Sequence, residues 1–245
     1  MKILSITTAT NHLSVALSDD KNIIAEKNEV DQRNHSEHLD PLISEILKEN
    51  NVTLNDIDRF AVAQGPGSYT GLRIGITTAK MFSSILNKEL VGISTLAALA
   101  EGVEDKDSVI IAEIDARNNN FFAGAYVKND IGVENIVADG HYHIDDLLNK
   151  VKKVADNKKI IFVGSDMSKY QDQIKEIWPD IQYTQALGDV NQVHAANIGL
   201  LALDASVVDP DKMVPKYLRR TQAELDWHKK TGKAYGPDSD YVEEV

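Results

Sequence analysis

A chain of 245 residues with 42% hydrophobic content can bury one large core or two modest ones. It contains no cysteine, which excludes a disulfide framework, a thiol nucleophile and a thiolate metal site. Its 38 acidic and 26 basic residues give a formal net charge of −12, which opposes autonomous binding to a phosphate backbone. No apolar run approaches the roughly 20 residues that a membrane span needs.

The N-terminus, Met1 to Ile6, enters a strand pattern at once and lacks the apolar core and cleavage site of a signal peptide, so a cytoplasmic location is expected. Lys2–Thr8, Leu13–Ser18 and Ile23–Val30 read as strands joined by polar turns such as Asp19-Asp20. Ser36–Asn50 reads as a helix, because Leu39, Leu42, Ile43, Ile46 and Leu47 recur at the spacing of one buried face. A strand at Phe60–Gln64, a helix at Thr70–Leu86, a strand at Leu90–Ile93 and a helix from Ser94 follow.

The second half begins in the same way. Ser108–Ile114, Asn120–Val127 and Val133–Ala138 are strand-like; His143–Val154 reads as helix, Lys159–Val163 as strand, Met167–Trp178 as helix, and Val193–Val207 as a further helix. A β-β-β-α-β-α order appearing twice predicts two related α/β units, 1–104 and 105–220, divided in the acidic stretch Glu101–Asp107. Residues 221–245 are polar and read as a weakly ordered tail.

The densest signal is Gly65-Pro66-Gly67-Ser68-Tyr69-Thr70-Gly71-Leu72-Arg73-Ile74-Gly75, set between a strand and a helix. Glycines and a proline in one turn are costly unless the backbone bends sharply or something comes close. Ser68 or Thr70 can cap the helix. Gly71 and Gly75 lie four apart, so both share one helix face that another backbone can approach. The loop is neither a Walker A sequence nor a dinucleotide fingerprint, which leaves anion binding and a tight packing turn both open.

Other clusters are weaker. His35 and His38 share a helix face, but Asn34 as cap with Glu37 behind it explains the same residues as helix-start chemistry. His141 and His143 lack an obvious third ligand. Asp115-Ala116-Arg117 is either a hairpin with a local ion pair or a ligand-facing acid at a strand end. Trp227 to Lys230 is one short aromatic-basic cluster in an acidic chain.

The glycine string, the run Arg33-x-His35-Ser36-Glu37 with Leu39 and Pro41, and the segment Pro215-Lys216-Tyr217-Leu218-Arg219 together resemble the TsaB (YeaZ) family. Those proteins take part in bacterial tRNA threonylcarbamoyladenosine synthesis. The resemblance implies an actin-like ATPase (ASKHA) fold. It implies a non-catalytic platform subunit that dimerises with a TsaD-type transferase, reaches a TsaE-type ATPase through the complex, forms a homodimer alone and meets tRNA indirectly. In that family the assembly moves a threonylcarbamoyl group from its adenylate onto N6 of the adenosine beside the anticodon.

The same resemblance implies an interface on the two helices, carried here by His35, His38, Leu39, Leu42, Ile46, Gly71, Leu72, Gly75, Ile76 and Ala79. Thr8, Gly67, Ser68 and Asp115 fall where an actin-like ATPase faces nucleotide phosphates, and ATP or ADP at the subunit junction is the one cofactor it suggests. Two departures argue against catalysis by this chain. Thr7 stands where the family usually carries Asp, so the anionic oxygen that a hard cation prefers is missing. Thr95 and Leu99 fall where the transferase carries its two metal-binding histidines, and neither replaces an imidazole. The rival readings are a small actin-like ATPase, which needs an acid near Thr7, and a metallopeptidase-like hydrolase, which needs ligands at Thr95 and Leu99.

Overall fold

The first strand, β1 (Lys2–Thr7), is buried along nearly its whole length, as a strand with helices on both faces must be. It lies at the centre of a sheet ordered β3-β2-β1-β4-β5, with β2 (His12–Asp19), β3 (Asn22–Val30), β4 (Arg59–Gly65) and β5 (Glu89–Ser94). β2 runs antiparallel to both β1 and β3, while β4 and β5 lie parallel to β1. The second sheet is ordered β10-β9-β6-β7-β8, built from β6 (Val109–Asp115), β7 (Asn120–Asn129), β8 (Gly132–His143), β9 (Ile160–Gly164) and β10 (Tyr183–Gln185). Its strand directions repeat those of the first sheet, with β6 in the place of β1. The twin halves expected of an actin-like α/β fold are therefore present. The structure, a computed structural model, describes residues 1–30, 34–130, 132–165, 167–220 and 222–232; Arg33 and 233–245 of the expected tail lie outside them.

Helices α1 (His35–Glu49) and α2 (Tyr69–Leu86) cover one face of the first sheet. Helices α3 (Thr95–Glu101) and α6 (Ala195–Leu201) cover the other. Alternation along β1 sets this arrangement: Ile6 lies toward Gly75 of α2, and Ser5 toward Gly199 of α6. Helix α3 also packs on the second sheet, so one apolar core runs from Ile6 and Val62 through Leu96 and Leu99 to Ile110 and Val163. A second core, centred on Phe121, Leu147 and Phe162, lies beneath α4 (Ile144–Val154) and α5 (Gln171–Ile177). A last helix, α7 (Gln222–Thr231), falls within the stretch read as tail.

Several elements differ from the sequence reading. The helix expected over Val193–Val207 is only Ala195–Leu201, because the Ala202 and Leu203 carbonyls turn away to accept from the Arg59 guanidinium. Met167–Trp178 divides into a 3-10 turn at Ser168–Tyr170 and the short α5. The strand read as Val133–Ala138 continues to His143, and three-residue β10 escaped notice. The chain also crosses back to the first sheet. Ala195 N donates to Ser14 Oγ (2.9 Å), Val208 N to Leu90 O (2.8 Å) and Lys216 N to Gln64 O (2.8 Å). The later part of 105–220 thus completes the first half.

Candidate functional site

Strand β4 ends on Gly65 at φ +132, a conformation that L side chains rarely adopt, and a Cβ there would lie 2.4 Å from the Lys216 carbonyl oxygen. The loop then enters α2, which Ser68 caps by accepting from Gly71 N (3.3 Å). What comes close to the glycine face is the turn after β1. The Thr8 hydroxyl donates to Gly71 O (2.6 Å) and accepts from Gly75 N (3.1 Å), joining two groups that an uninterrupted helix pairs directly. Ser68 N donates to Ala9 O (2.7 Å). Cβ atoms at Gly67, Gly71 and Gly75 would meet Ala9 O at 2.4 Å, Thr8 O at 2.0 Å and Thr8 Oγ1 at 2.6 Å.

These contacts correct two expectations. Thr8 does not face a phosphate; it is buried, and its hydroxyl is used inside the fold. The Ser68, Gly71 and Gly75 N–H groups, which an anion cradle would need, bond within the chain. Gly71 and Gly75 serve an intramolecular approach, and Leu72, Ile76 and Ala79 are buried in the chain's own core beside them. Leu39, Leu42 and Ile46 of α1 are likewise core residues. His35 Nε2 lies 2.8 Å from Thr10 O and His38 Nδ1 lies 2.7 Å from Glu29 Oε2, so both rings tie the start of α1 to the first sheet.

The surface that the helix pair does present is its other flank. Tyr69, Arg73, Thr77, Met81 and Ile85 recur every four residues along α2, all exposed. An open groove of about 570 Å³ runs between the helices, lined by Ser36, Leu39, Asp40, Arg73, Ile74 and Thr77. The signal was in the sequence: Met81 and Ile85 are apolar residues at helical spacing opposite the buried face.

A second concavity, of about 460 Å³, lies where the halves meet. Gly67 and Tyr69 line it from the glycine loop, Arg117, Asn118 and Phe122 from the β6–β7 hairpin, and Lys216 to Arg220 from the C-terminal segment. Arg117, Asn118 and Asn119 are all left-handed, at φ 70, 54 and 59. Asp115 accepts from Arg117 N (2.7 Å) and pairs with Lys169 (3.3 Å), which is the hairpin role of this acid. Arg219 Nη1 donates to Ala116 O (3.4 Å) across the gap. The Tyr69 and Tyr217 rings stack at 4.9 Å, with the Arg73 guanidinium 4.3 Å over Tyr69 and its Nε donating to the Tyr217 hydroxyl (3.0 Å).

The positions tied to catalysis lie inside the protein. Thr7 is fully buried and its hydroxyl accepts from Ala9 N (3.3 Å). Thr95 and Leu99 are buried on α3. His141 packs against Phe122 at 5.4 Å, and His143 caps α4 by accepting from Asp145 N (3.5 Å). Trp227 is exposed on α7. Among the described residues, no group of three or more His, Asp or Glu could hold a metal ion, and no helix is long and apolar enough to cross a membrane.

Two ionisable features, one buried and one half-buried, were not foreseen. Glu113, in the middle of β6, is fully buried, and burial pushes its carboxyl well above the usual carboxylate range against a smaller opposing pull from Ser165. His194 bridges Glu26 (2.9 Å) and Asp189 (3.1 Å). Its hydrogen bond to Glu26 raises the imidazole to about 9, and hydrogen bonds from His194 and Ala196 overcome burial to hold Glu26 at about 2.

Comparison with known proteins agrees with this architecture. A family model described as "TsaD: tRNA N6-adenosine threonylcarbamoyltransferase" matches residues 22–227. The chain is 29% identical over 227 residues to the tRNA threonylcarbamoyladenosine biosynthesis protein TsaB of Bacillus subtilis, covering 93% of this chain and 98% of that protein. It is 36% identical over 135 residues to TsaB of Escherichia coli, covering 54% of this chain and 58% of the relative. The solved structure of YeaZ from Pseudomonas aeruginosa superposes with a TM-score of 0.73 at 25% identity, covering 89% of this chain and 99% of that one.

Proposed function

The chain belongs to the tRNA N6-adenosine threonylcarbamoyltransferase family and, within it, to the TsaB (YeaZ) proteins of tRNA threonylcarbamoyladenosine biosynthesis, and from that premise we propose that it is a non-catalytic platform subunit. The observation that carries this reading is the chemistry at Thr7, Thr95 and Leu99. Two neutral hydroxyls and a hydrocarbon, all buried, offer neither the anionic oxygen for a hard cation nor an imidazole for a transition metal. The rival ATPase and metallopeptidase readings both need groups that these residues lack.

The partner in this proposal is a TsaD-type transferase, docked on the outer flank of α1 and α2. Exposed Tyr69, Met81 and Ile85 beside an open groove support such a helical contact. The same flank makes a homodimer when the transferase is absent. The TsaE-type ATPase joins through the transferase, ATP or ADP belongs at the subunit junction, and tRNA is met chiefly through the partner, consistent with a net charge of −12. The setting proposed is the cytoplasm.

Co-purification with the host's TsaD-type protein, followed by a transfer assay on each protein and on the pair, tests the reading. The pair should transfer threonylcarbamoyl to tRNA, and this chain alone should not. Turnover by this chain without partners, or a stoichiometric zinc or iron ion in the purified protein, would defeat it.

A further inference from the structure

We propose that the lysine cluster at the end of α4 is a direct contact for an RNA backbone, made through charge and not through base sequence. Lys150, Lys152, Lys153, Lys158 and Lys159 fall within ten positions of a chain whose net charge is −12, and all five are exposed. One acid, Asp156, interrupts them. Cations at a helix C-terminus offset its dipole, which accounts for Lys152 and Lys153 in the last turn of α4. It does not account for Lys158 and Lys159, which lie beyond the helix. A turn through Asp156 and Asn157, left-handed at φ 47 and 58, carries the chain on to them, and Lys158 N donates to Ala155 O (2.9 Å).

Basic side chains in an acidic protein find carboxylates easily, and elsewhere in this chain several have. Lys27, Arg59, Lys106, Lys128 and Lys169 each hold a carboxylate oxygen within 3.3 Å. Among the described residues, none of the five lysines of α4 and its turn makes an ion pair. The Lys150 ammonium lies 4.5 Å from the centre of the Tyr142 ring, and Lys152 Nζ donates to Ile177 O (3.5 Å), contacts that place the charge without neutralising it. Asp105 feels the field of Lys159 without pairing with it. Such a patch suits phosphates better than a protein surface. The centres of protein interfaces are poor in lysine and rich in aromatic residues, whereas Val154 is the one exposed large hydrophobic residue between these lysines. Arginine, whose planar fork matches a carboxylate with two bonds at once, is absent from the stretch; a lysine is a point charge that a phosphodiester oxygen can meet from many directions. Screening confines the field to about 8 Å at physiological salt, so a phosphate here meets the lysines and not the distant acids. Helix α4 packs on β7, β8 and α5, all in the second half, which leaves the cluster clear of the outer flank of α1 and α2.

The choice of RNA rests on the proposed role in tRNA modification, and the cluster gives this subunit a weak contact of its own beside the partner's. The full-length protein, alone and paired with the TsaD-type protein, is treated with an amine-acetylating reagent with and without tRNA, and the labelled lysines are read by mass spectrometry. The five lysines should be protected several-fold by tRNA, while Lys21 and Lys48, exposed in the first half, should label as before. The double variant Lys153→Gln and Lys158→Gln should lower the slope of log affinity for tRNA against log salt by roughly 0.7–0.9 per lysine and leave the unfolding midpoint unchanged. Polyglutamate should protect the cluster poorly. No tRNA binding by either sample, bound tRNA without protection of the cluster, an unchanged salt slope, or equal protection by polyglutamate, the mark of a site for an acidic protein, would each overturn the proposal. A pair that fails to assemble, while the isolated chain still shows protection by tRNA, would uphold the contact and count against the platform role alone.

Discussion

In the first half, the helix after the fourth strand, α2, runs for 18 residues and buries Gly71, Leu72, Gly75, Ile76, Ala79 and Ser83. Its counterpart in the second half, α5, has 7 residues after a 3-10 turn and buries Ile174. The strands beneath them match closely. Each half carries its parallel strand next to the central one, and each such strand ends on a strained glycine, Gly65 at φ 132 and Gly164 at φ 123. In both, a Cβ would strike a carbonyl oxygen, that of Lys216 at 2.4 Å or of Glu113 at 1.9 Å. The repeat therefore preserves the sheet and the strand-end turn, while the helix layer has diverged. Only the first half keeps a long helix pair with one face sunk in the core and the other open to a partner.

The sharpest way to break this comparison is at the glycines. Gly71→Val and Gly164→Ala should each cost about 3 kcal/mol or more, because the added atoms meet backbone rather than a movable side chain. Gly188→Ala, at φ +72 with open space around it, should cost only about 1 kcal/mol. Denaturant midpoints compare the three; a mild effect at Gly164 would mean the second half accommodates what the first cannot.

The His194–Glu26 pair joins the returning α6 segment to the first sheet, and His194→Gln should cost about 1–3 kcal/mol at pH 6. The imidazole is raised in the fold, so its contribution is complete below about 6.5 and fades as pH climbs through about 9. The carboxylate is depressed in the fold, so its contribution is complete above about 4.5 and fades as pH falls through about 2. Unfolding curves across this range should show the difference between wild type and variant greatest between 4.5 and 6.5.

Glu113 works in the opposite sense. Its folded carboxyl is raised, so the folded state holds a proton that the unfolded chain releases above about 4.5, and stability declines as pH rises from there. Glu113→Gln should remove that decline and leave the protein more stable at neutral pH. A variant less stable than wild type at pH 7 would mean that the carboxylate makes a contact the amide cannot.

The smallest change in stability belongs to the outer flank of α2. Met81→Lys with Ile85→Lys should move the unfolding free energy by no more than about 0.5 kcal/mol, because both side chains are exposed. The same variant should lose the TsaD-type partner in a pull-down. Retained binding would shift the interface away from this flank.

Much of the sheet framework was legible because each strand or helix carries its own apolar period. The glycine loop announced a close approach, yet a missing side chain says nothing about which atoms arrive, and Thr8 lies sixty-odd residues upstream. The interface expected at Leu72 and Ile76 shows a related limit: an apolar face predicts burial, and here the chain's own sheet already covers both side chains. Helix α6 was overextended because Arg59, far upstream, claims the carbonyls at its end. The Glu26–His194 pair spans 168 positions and leaves no local trace. Lys216 and Arg219 stand close together in the sequence, but their meeting with Arg117 needs the fold.

The return of the chain to its first sheet bears on how the molecule is made. Gly65 rests on the Lys216 carbonyl, Ser14 caps a donor on Ala195, and Leu90 receives the amide of Val208. During vectorial synthesis, all five strands of the first sheet leave the ribosome long before these contacts exist. Until then the face that α6 will cover, with Ser5 and Ser18 on it, stays open to water or to chaperones. The nascent first half waits, one layer short, for a segment that begins about a hundred residues after its own last strand.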